Sequence, residues 1–348
     1  MPDDQTATSW IARAGLAVGV GALGGIGYAS ARYWTRVSSA RYQLQQLIAT
    51  NAGSSLRVVI TGATSGIGQE LAQQFSKNSS VSLLLGCRNV ARAEQLFRKS
   101  GNCKIVPLEL LDFDSVQSFT DQAHAFLSDG SEDAVRMLIN NAGVMRAPPS
   151  QLTNSTDSTW TTNFLSPFLL TELLVHQRQV AKQSQPIRAI NVSSRLEKHS
   201  KLDEVLLKNV QSGEVGKKSY SDSKRAMMLW TALRSENMSS QGHVFLNATT
   251  PGMVNSDLGR NSVQPWLWPL TWPLRAVLLK SSAEGALLVA EAALQKQSAR
   301  AFGMYLDGSK TLEDLVKERM GQKALAEDVI EWASQVTGLA DRAARYDH

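Results

Sequence analysis

The chain has 348 residues, of which 43% are hydrophobic and 19% are charged, as is ordinary for a globular protein with a sizeable core. Its net charge of +5 is mildly basic, but no stripe of lysine and arginine with interleaved aromatic residues occurs, which argues against nucleic-acid binding. The two cysteines, Cys87 and Cys103, argue against a disulfide framework, and the five histidines have no metal-ligand spacing, so we predict no metal site.

An uncharged segment lies near the N-terminus, at residues 14–31, between Arg13 and Arg32. Glycine and alanine supply eleven of its 18 residues, so it is only weakly apolar, but it is just long enough to span a bilayer. Arg36 and Arg41 follow Arg32, and the positive-inside rule then places the rest of the chain on the cytosolic side. The pattern favours a membrane anchor at a membrane of the endoplasmic reticulum or lipid-droplet type.

Two other interpretations of this segment stay open. No acidic residue occurs from residue 5 to residue 69, which is typical of a transit peptide for a mitochondrion or chloroplast. The other is a soluble structural arm. Residues 35–55 are interpreted as a short helix and linker. We therefore divide the chain into an anchor or targeting segment with linker, 1–55, and a single folded domain, 56–348.

From residue 56 onward, short apolar segments alternate with segments of helical periodicity. After a first strand that begins at residue 56, strands are predicted at 81–85, 103–108, 135–139, 187–192, 243–248 and 302–306. Helices are predicted at 69–75, 89–99, 113–127, 156–182, 219–238 and 283–297. This alternation predicts right-handed βαβ units, and hence an α/β fold with a doubly wound parallel sheet of Rossmann type.

Three glycines follow the first strand in the pattern Gly62-x-x-x-Gly66-x-Gly68. We expect Gly62 to allow a tight turn, Gly66 to let the backbone approach a pyrophosphate, and Gly68 to let the next helix pack closely on the strand. The helix N-terminus, with Ser65 and Ile67, then offers N–H groups to a phosphate. An ordinary turn between a strand and a helix is the alternative.

The ends of the second and third predicted strands carry residues that suit the adenosine end of a dinucleotide. Arg88 stands where a carboxylate would select NAD, and Arg92 follows one turn later. Because a basic residue accommodates a 2′-phosphate, we favour NADP over NAD, with a surface arginine as the alternative. Asp112 suits an adenine amino group, and equally suits a plain helix N-cap.

Tyr220 and Lys224 are four residues apart within a predicted helix, which places both on one face. A lysine ammonium beside a phenol lowers the phenol pKa, so that the phenol exchanges a proton near neutral pH. The helix follows a strand that ends in Ser193 and Ser194, where a hydroxyl would bind a substrate oxygen. The small residues of Asn-Asn-Ala-Gly, at 140–143, would allow close approach of a cofactor.

In this order, the glycine turn, the Asn-Asn-Ala-Gly segment, Asn163, Ser194, Tyr220-x-x-x-Lys224 and Pro251-Gly252 resemble the short-chain dehydrogenase/reductase family. The resemblance covers about residues 56–310, and the ordered set is highly specific. Within the family, the segments 86–89, 162–171 and 251–256 and the long insert before Tyr220 are most similar to the retinol dehydrogenase-like group. The resemblance implies seven parallel strands in the order 3-2-1-4-5-6-7.

The resemblance also implies roles for individual residues. Tyr220 would be the general acid/base, Lys224 would bind the nicotinamide ribose and hold the Tyr220 pKa down, and Ser194 would polarise the substrate oxygen. Asn163 would hold a water that relays protons from Lys224. The implied residues of an NADP(H) site are Gly62, Ser65, Gly66, Ile67, Gly68, Arg88, Asp112, Asn141, Ala142, Gly143, Tyr220, Lys224, Pro251, Gly252 and Ser256.

The segment 264–279 is rich in tryptophan and proline and lies where the family places its substrate loop. It favours a lipophilic substrate such as a retinoid, steroid or fatty aldehyde, and residues 265–279 would also suit a membrane surface. We therefore expect an NADP-dependent enzyme that interconverts an alcohol and its carbonyl compound. A non-catalytic cofactor-binding scaffold and a reductase of small soluble carbonyl compounds stay open, as does a homodimer.

Overall fold

A parallel sheet forms the centre of the protein. In the computed structural model the described residues are 4–51, 55–130, 132–145, 152–153, 156–211, 219–241, 244–255, 274–294 and 322–347. The strands of this sheet are β1 (Leu56–Thr61), β2 (Val81–Cys87), β3 (Cys103–Pro107), β4 (Val135–Asn140), β5 (Ile187–Val192) and β6 (Val244–Thr249), and a separate antiparallel pair joins Leu152–Thr153 to Thr156–Asp157. All neighbours in the sheet pair in parallel, in the order β3-β2-β1-β4-β5-β6. The predicted parallel α/β sheet is confirmed for six strands, and the seventh, at 302–306, lies outside the described residues.

Helices cover the sheet and connect its strands. They are α1 (Asp4–Asn51), α2 (Gly66–Phe75), α3 (Val90–Phe97), α4 (Phe113–Ser128), α5 (Ser158–Trp160), α6 (Ser166–Val180), α7 (Glu204–Gln211), α8 (Ser219–Gln241), α9 (Ser282–Leu294), α10 (Lys323–Thr337) and α11 (Leu339–Ala343). A π-helical segment, Thr161–Leu165, joins α5 to α6, and 3-10 turns lie at Arg195–His199 and Ala344–Tyr346.

Two apolar clusters flank the sheet, one on each face. Successive strand residues point to opposite faces, so Val59 belongs to one cluster and Val58 to the other. The Val59 cluster includes residues of α4, α6, α8 and α10, and the Val58 cluster includes residues of α1, α2, α3 and α9. Burial on both faces explains why the strands are continuous apolar runs in the sequence.

The order of the strands reverses direction at one point in the sheet. The chain moves outward from β1 to β3 and then returns to place β4 beside β1 on the other side. The connections that leave β1 and β4 diverge, which opens a crevice at the carboxyl ends of these two strands. Ligands of doubly wound sheets bind at such a switch point.

The N-terminal helix differs from the expectation. Residues 14–31 lie within α1, but across the described residues none of the helices combines the length and the apolar character needed to cross a membrane. The predicted membrane-spanning helix is therefore not confirmed, because glycine and alanine contribute too little hydropathy. The interpretation of 35–55 as short helix and linker also changes: α1 is continuous to Asn51, and its Leu44 and Ile48 are fully buried in the Val58 cluster.

Candidate active site

The residues singled out from the sequence meet at one edge of the sheet, since parallel strands place all their carboxyl ends together. Gly62 follows β1, Arg88 follows β2, Asn141 follows β4 and Ser194 lies two residues beyond β5. Pro251 lies two residues beyond β6. The edge therefore brings together chemistry from five separate parts of the chain.

The glycine turn leaves β1 with two residues in the left-handed region. Gly62 has a φ of +72° and Gly66 a φ of +55°, conformations that favour glycine. The N-cap of α2 is Ser65, whose carbonyl accepts from the Gln69 N–H at 3.2 Å. The helix thus begins directly at the turn, and its N-terminus faces the crevice side of the sheet.

The chain after β4 passes so close to the turn that Gly62 and Gly68 have no room for a side chain. A Cβ added at Gly62 would lie 2.8 Å from the Ala142 Cα. A Cβ at Gly68 would collide with the Asn141 side chain and the Gly62 carbonyl. Gly68 therefore accommodates Asn141 rather than only the packing of helix on strand. The Ile67 side chain packs against Gly285 of α9, where an added Cβ would be 3.0 Å from it.

Asn141 ties the turn to the strand beside it. Its side-chain amide donates to the Thr61 carbonyl at 3.0 Å and the Gly62 carbonyl at 3.3 Å. The Thr61 hydroxyl in turn accepts from the backbone N–H groups of Asn141 and Ala142, at 3.2 and 3.1 Å. The two edges of the crevice are thus fixed relative to each other. Nothing in the sequence indicated that the Thr61 hydroxyl would hold the backbone after β4 in place.

Arg88 and Asp112 lie at the outer end of the same edge. Arg88 is exposed and precedes Asn89, whose side chain caps α3 by accepting from the Arg92 N–H at 2.9 Å. Asp112 caps α4 and accepts from the Asp114 N–H at 2.9 Å. The N-cap interpretation of Asp112 therefore holds, and one of its carboxylate oxygens is used in this way.

Ser194 and Tyr220 lie close enough for the Ser194 side chain to act on the Tyr220 phenol. Burial raises the pKa of the Tyr220 phenol, and the Ser194 side chain offsets part of that rise. The sequence led us to expect a Tyr220 pKa below its ordinary value because of Lys224, whereas here burial governs and the direction is upward. Ser194 also caps the 3-10 turn, accepting from the Leu196 N–H at 3.3 Å.

Lys224 is almost completely buried, with 3% of its surface exposed. Its ammonium donates to the Val192 carbonyl at the end of β5, at 2.8 Å. Burial disfavours the charged form and lowers the pKa of Lys224 to about 8. The pKa of Lys224 therefore lies closer to neutral pH than that of an exposed lysine.

Asn163 lies in the π-helical segment and is fully buried. Its side chain accepts from the Val144 N–H at 2.8 Å and donates to the Val144 carbonyl at 2.9 Å and to the Ser223 hydroxyl at 3.2 Å. A Cβ at Gly143 would lie 3.3 Å from the Asn163 side-chain oxygen and 3.7 Å from the Lys224 nitrogen. Asn163 and Lys224 thus converge on the backbone of Gly143.

Pro251 and Gly252 form the turn after β6. Gly252 has a φ of +79°, and a Cβ there would lie 3.4 Å from the Lys280 nitrogen. Ser256 lies outside the described residues. Within the part of the chain that is described, the hydroxyls of Ser193, Thr249 and Thr250 are buried at this edge without a hydrogen-bond partner.

The arrangement fits a dinucleotide cofactor. The glycine turn presents backbone without side chains at a helix N-terminus, which suits a pyrophosphate. Unpaired buried hydroxyls are costly, and those of Ser193, Thr249 and Thr250 offer hydrogen bonds to a polar ligand group. The sequence contained the hydroxyl residues but gave no signal that they would be buried without partners.

Comparison with known proteins agrees with this geometry. A family model described as short chain dehydrogenase matches residues 57–265. Retinol dehydrogenase 12 of Mus musculus is 31% identical over 288 residues, covering 81% of this chain and 86% of that protein. Retinol dehydrogenase 13 of Homo sapiens is 30% identical over 266 residues, covering 73% of this chain and 76% of that protein.

The fold is shared with solved structures. An NADPH-bound carbonyl reductase from chicken fatty liver superposes with a TM-score of 0.53 at 24% identity, covering 73% of this chain and 91% of that chain. The match to the family model spans more than half of the sequence, and the relatives match most of it. The chain therefore belongs to the short-chain dehydrogenase/reductase family, and within it is similar to the retinol dehydrogenases.

Proposed function

We propose that this protein is an NADP(H)-dependent oxidoreductase that interconverts a lipophilic alcohol and its carbonyl compound, with Tyr220 as general acid/base. The observation that carries the proposal is the convergence of Ser194, Tyr220 and Lys224 on the sheet edge that holds the glycine turn. Family membership supports an oxidoreductase, and the names of the relatives support alcohols such as retinol as the substrate class.

The chemistry divides between cofactor and protein. When bound, NADP(H) supplies or accepts the hydride. In the direction of reduction, Tyr220 donates its proton to the carbonyl oxygen, and the Ser194 hydroxyl donates a hydrogen bond to that oxygen. Lys224 stabilises the phenolate left on Tyr220 by its positive charge, and Asn163 holds the backbone of residue 144 beside it. In the direction of oxidation the same groups take the proton back.

Binding of the cofactor is proposed to involve the glycine turn, residues 141–143, Asp112 and the turn at Pro251 and Gly252. The preference for NADP(H) rests on Arg88, which is exposed at the end of β2, where a 2′-phosphate would be neutralised. The catalytic domain comprises residues 56–348, to which the second half of α1 is attached by its buried Leu44 and Ile48.

The nucleotide preference is tested by Arg88→Glu, with Arg98→Glu on the exposed end of α3 as the matched control. We expect the Kd for NADPH to rise by on the order of tenfold to a hundredfold in the first variant, because an acidic group repels a phosphate, and to stay unchanged in the second. Fluorescence titration with NADPH and NADH measures this. An unchanged ratio of the two affinities contradicts the role of Arg88.

The activity is tested by NADPH consumption with retinal, steroid ketones and long-chain aldehydes, and with small water-soluble carbonyl compounds for comparison. The proposal expects turnover of one lipophilic class in preference to the soluble compounds, and loss of that turnover in Tyr220→Phe. Cofactor binding without turnover of any compound would instead favour the non-catalytic scaffold.

Membrane association is part of the proposal, as peripheral contact rather than a crossing. Exposed aromatic and aliphatic side chains lie on α1 and in 274–278: Tyr28 is 66%, Trp34 57% and Leu278 67% exposed. Such residues favour the interface of a bilayer, and a cytosolic face of the endoplasmic reticulum type suits a lipophilic substrate. Flotation with phosphatidylcholine vesicles tests this: a protein that stays at the bottom of the gradient contradicts it.

A further inference from the structure

Arg36 of α1 binds a segment distant in sequence, residues 277–284. Its guanidinium donates to the Leu279 carbonyl at 2.6 Å and to the Val277 carbonyl at 3.2 Å. It also forms an ion pair with Glu284 at 3.0 Å, with both side chains 24% exposed. The planar guanidinium makes four hydrogen bonds here from a rigid set of five donors, whereas a lysine ammonium has only three donors on one nitrogen.

Glu284 carries the contact from α1 into the start of α9. The carboxylate oxygen that pairs with Arg36 also accepts from the Ser281 N–H at 2.8 Å and from the Ser281 hydroxyl at 2.9 Å. The Ser281 hydroxyl accepts from the Glu284 N–H at 3.2 Å. This is a capping box, and it fixes the backbone at residue 281. Around it, Val37 and Ala40 of α1 pack against Ala283.

The backbone next to this cap is paired with the turn after β6. The Lys280 N–H donates to the Met253 carbonyl at 2.9 Å, and the Asn255 N–H donates to the Lys280 carbonyl at 2.8 Å. Val254 and Lys280 form an isolated parallel bridge. The Arg275 guanidinium adds a hydrogen bond to the Asn255 side chain at 2.6 Å. Residues 253–255 therefore cannot shift without residues 275–280.

That turn belongs to the proposed cofactor site. Gly252 lies beside the Lys280 side chain. An added Cβ at Gly285 would lie 3.1 Å from Val254 and 3.0 Å from Ile67 of the glycine-turn helix. An unbroken series of contacts thus runs from Arg36 through residues 279–281 to the turn that bounds the crevice.

From these contacts we infer that Arg36 is a positioning residue for the cofactor site, and that the second half of α1 helps to hold the turn after β6 in the position that binds the cofactor. The inference rests on the proposed function. Loss of the guanidinium leaves the Leu279 carbonyl and Glu284 without their cationic partner. The hydrogen bonds that pair residue 280 with residues 253 and 255 then open more often. The turn at Pro251 and Gly252 then samples positions that do not bind the cofactor, so affinity falls while the reacting groups are untouched.

A matched control separates positioning from simple stabilisation. Arg41 lies on the same helix and makes a shorter ion pair, donating to both carboxylate oxygens of Glu70 on α2 at 2.6 and 2.8 Å. Arg41→Ala therefore removes a comparable attachment of α1, but one that does not lead to residues 253–255. Arg36→Lys keeps the positive charge but loses the planar set of guanidinium donors.

The experiment compares the full-length wild type with Arg36→Ala, Arg36→Lys and Arg41→Ala. Hydrogen exchange of the Lys280 and Asn255 amides is measured first, without cofactor. The Kd for NADPH is then measured by fluorescence titration, and kcat and KM for NADPH by steady-state kinetics. In Arg36→Ala we expect exchange at both amides and the NADPH Kd to rise by roughly tenfold, with kcat within about twofold. Arg36→Lys recovers part of this affinity, and Arg41→Ala leaves exchange at the Lys280 and Asn255 amides at wild-type values.

Unchanged exchange in Arg36→Ala overturns the inference, as does an equal rise in exchange at the Lys280 and Asn255 amides in Arg36→Ala and Arg41→Ala. In both cases the wild type still binds NADPH, so the proposed function stands. A wild type that binds no NADPH overturns the proposed function and this inference together.

Discussion

At the scale of single residues, burial governs the two groups that would move the proton. It raises the pKa of Tyr220 and lowers the pKa of Lys224 to about 8, so the two values move apart. Burial thus favours the neutral form of both groups. Because Lys224 is only 3% exposed, its charged form lowers the folding stability of the protein.

This cost predicts a pH dependence of stability. The unfolded chain binds the Lys224 proton up to a pH of about 10.5, whereas the folded protein releases it near 8. Between these values the unfolded state binds more protons, so the contribution of Lys224 to the free energy of unfolding becomes more favourable as pH rises. Relative to Lys224→Met, the wild type should gain roughly 2–3 kcal/mol between pH 7 and pH 10.

Urea unfolding of both proteins at the two pH values measures this difference. Other groups that titrate in the same window affect both proteins alike and cancel in the comparison. A difference in unfolding free energy that stays constant between pH 7 and pH 10 would mean that the folded-state pKa of Lys224 is not lowered.

Some of these residue-level features were readable in the sequence. The spacing of Tyr220 and Lys224 depends only on the helical repeat, and so it predicted a shared face. Burial depends on elements far away in the chain, so the direction of the Tyr220 pKa and the unpartnered hydroxyls of Thr249 and Thr250 could not be predicted.

At the scale of elements, the glycine turn needs small residues because the segment after β4 packs against it, and not only because a ligand would bind there. Gly68 would be called a helix-packing glycine from the sequence, but it makes room for Asn141 of the segment after β4. The π-helical segment at Thr161–Leu165 is likewise set by tertiary contacts, because Asn163 is held by Val144 and Ser223. A local pattern of residues cannot predict such a contact.

Gly68→Ala should therefore destabilise the protein even without cofactor. The added methyl group collides with the Asn141 side chain and the Gly62 carbonyl, and we expect a loss of roughly 1–3 kcal/mol in the free energy of unfolding. Gly101→Ala is the matched control, because a Cβ there meets nothing within 4 Å. Equal urea midpoints for the two variants would contradict the close approach.

At the scale of the whole molecule, the second half of α1 and the C-terminal helices are attached to the parallel sheet unit. The alternation of apolar runs predicted that unit because βαβ connections impose it, and six strands confirm it. The docking of α1 was not predictable, since its buried face has few large apolar residues and is completed by the ion pairs of Arg36 and Arg41. A deletion of residues 1–40 would remove Arg36 together with the suspected anchor.

The C-terminal helices pack on the opposite face of the sheet. Trp332 of α10 lies with its ring centroid 5.4 Å from that of Trp160 and 6.4 Å from that of Phe164, next to the π-helical segment. Trp332→Ala should lower the free energy of unfolding by roughly 3–5 kcal/mol, whereas Trp34→Ala, at a side chain that is 57% exposed, should change it little. Similar thermal midpoints for the two variants would contradict the attachment of α10 to the core.

The central claim is that Tyr220 moves the proton in a reaction at this sheet edge. The most direct measurement is NADPH consumption, on whichever lipophilic carbonyl compound the wild type reduces, by the wild type and by Tyr220→Phe. With the Kd for NADPH unchanged, kcat should fall by on the order of a hundredfold to ten-thousandfold, because the general acid is removed while the cofactor site stays intact. A Tyr220→Phe protein that binds NADPH and turns over as fast as the wild type would contradict the claim.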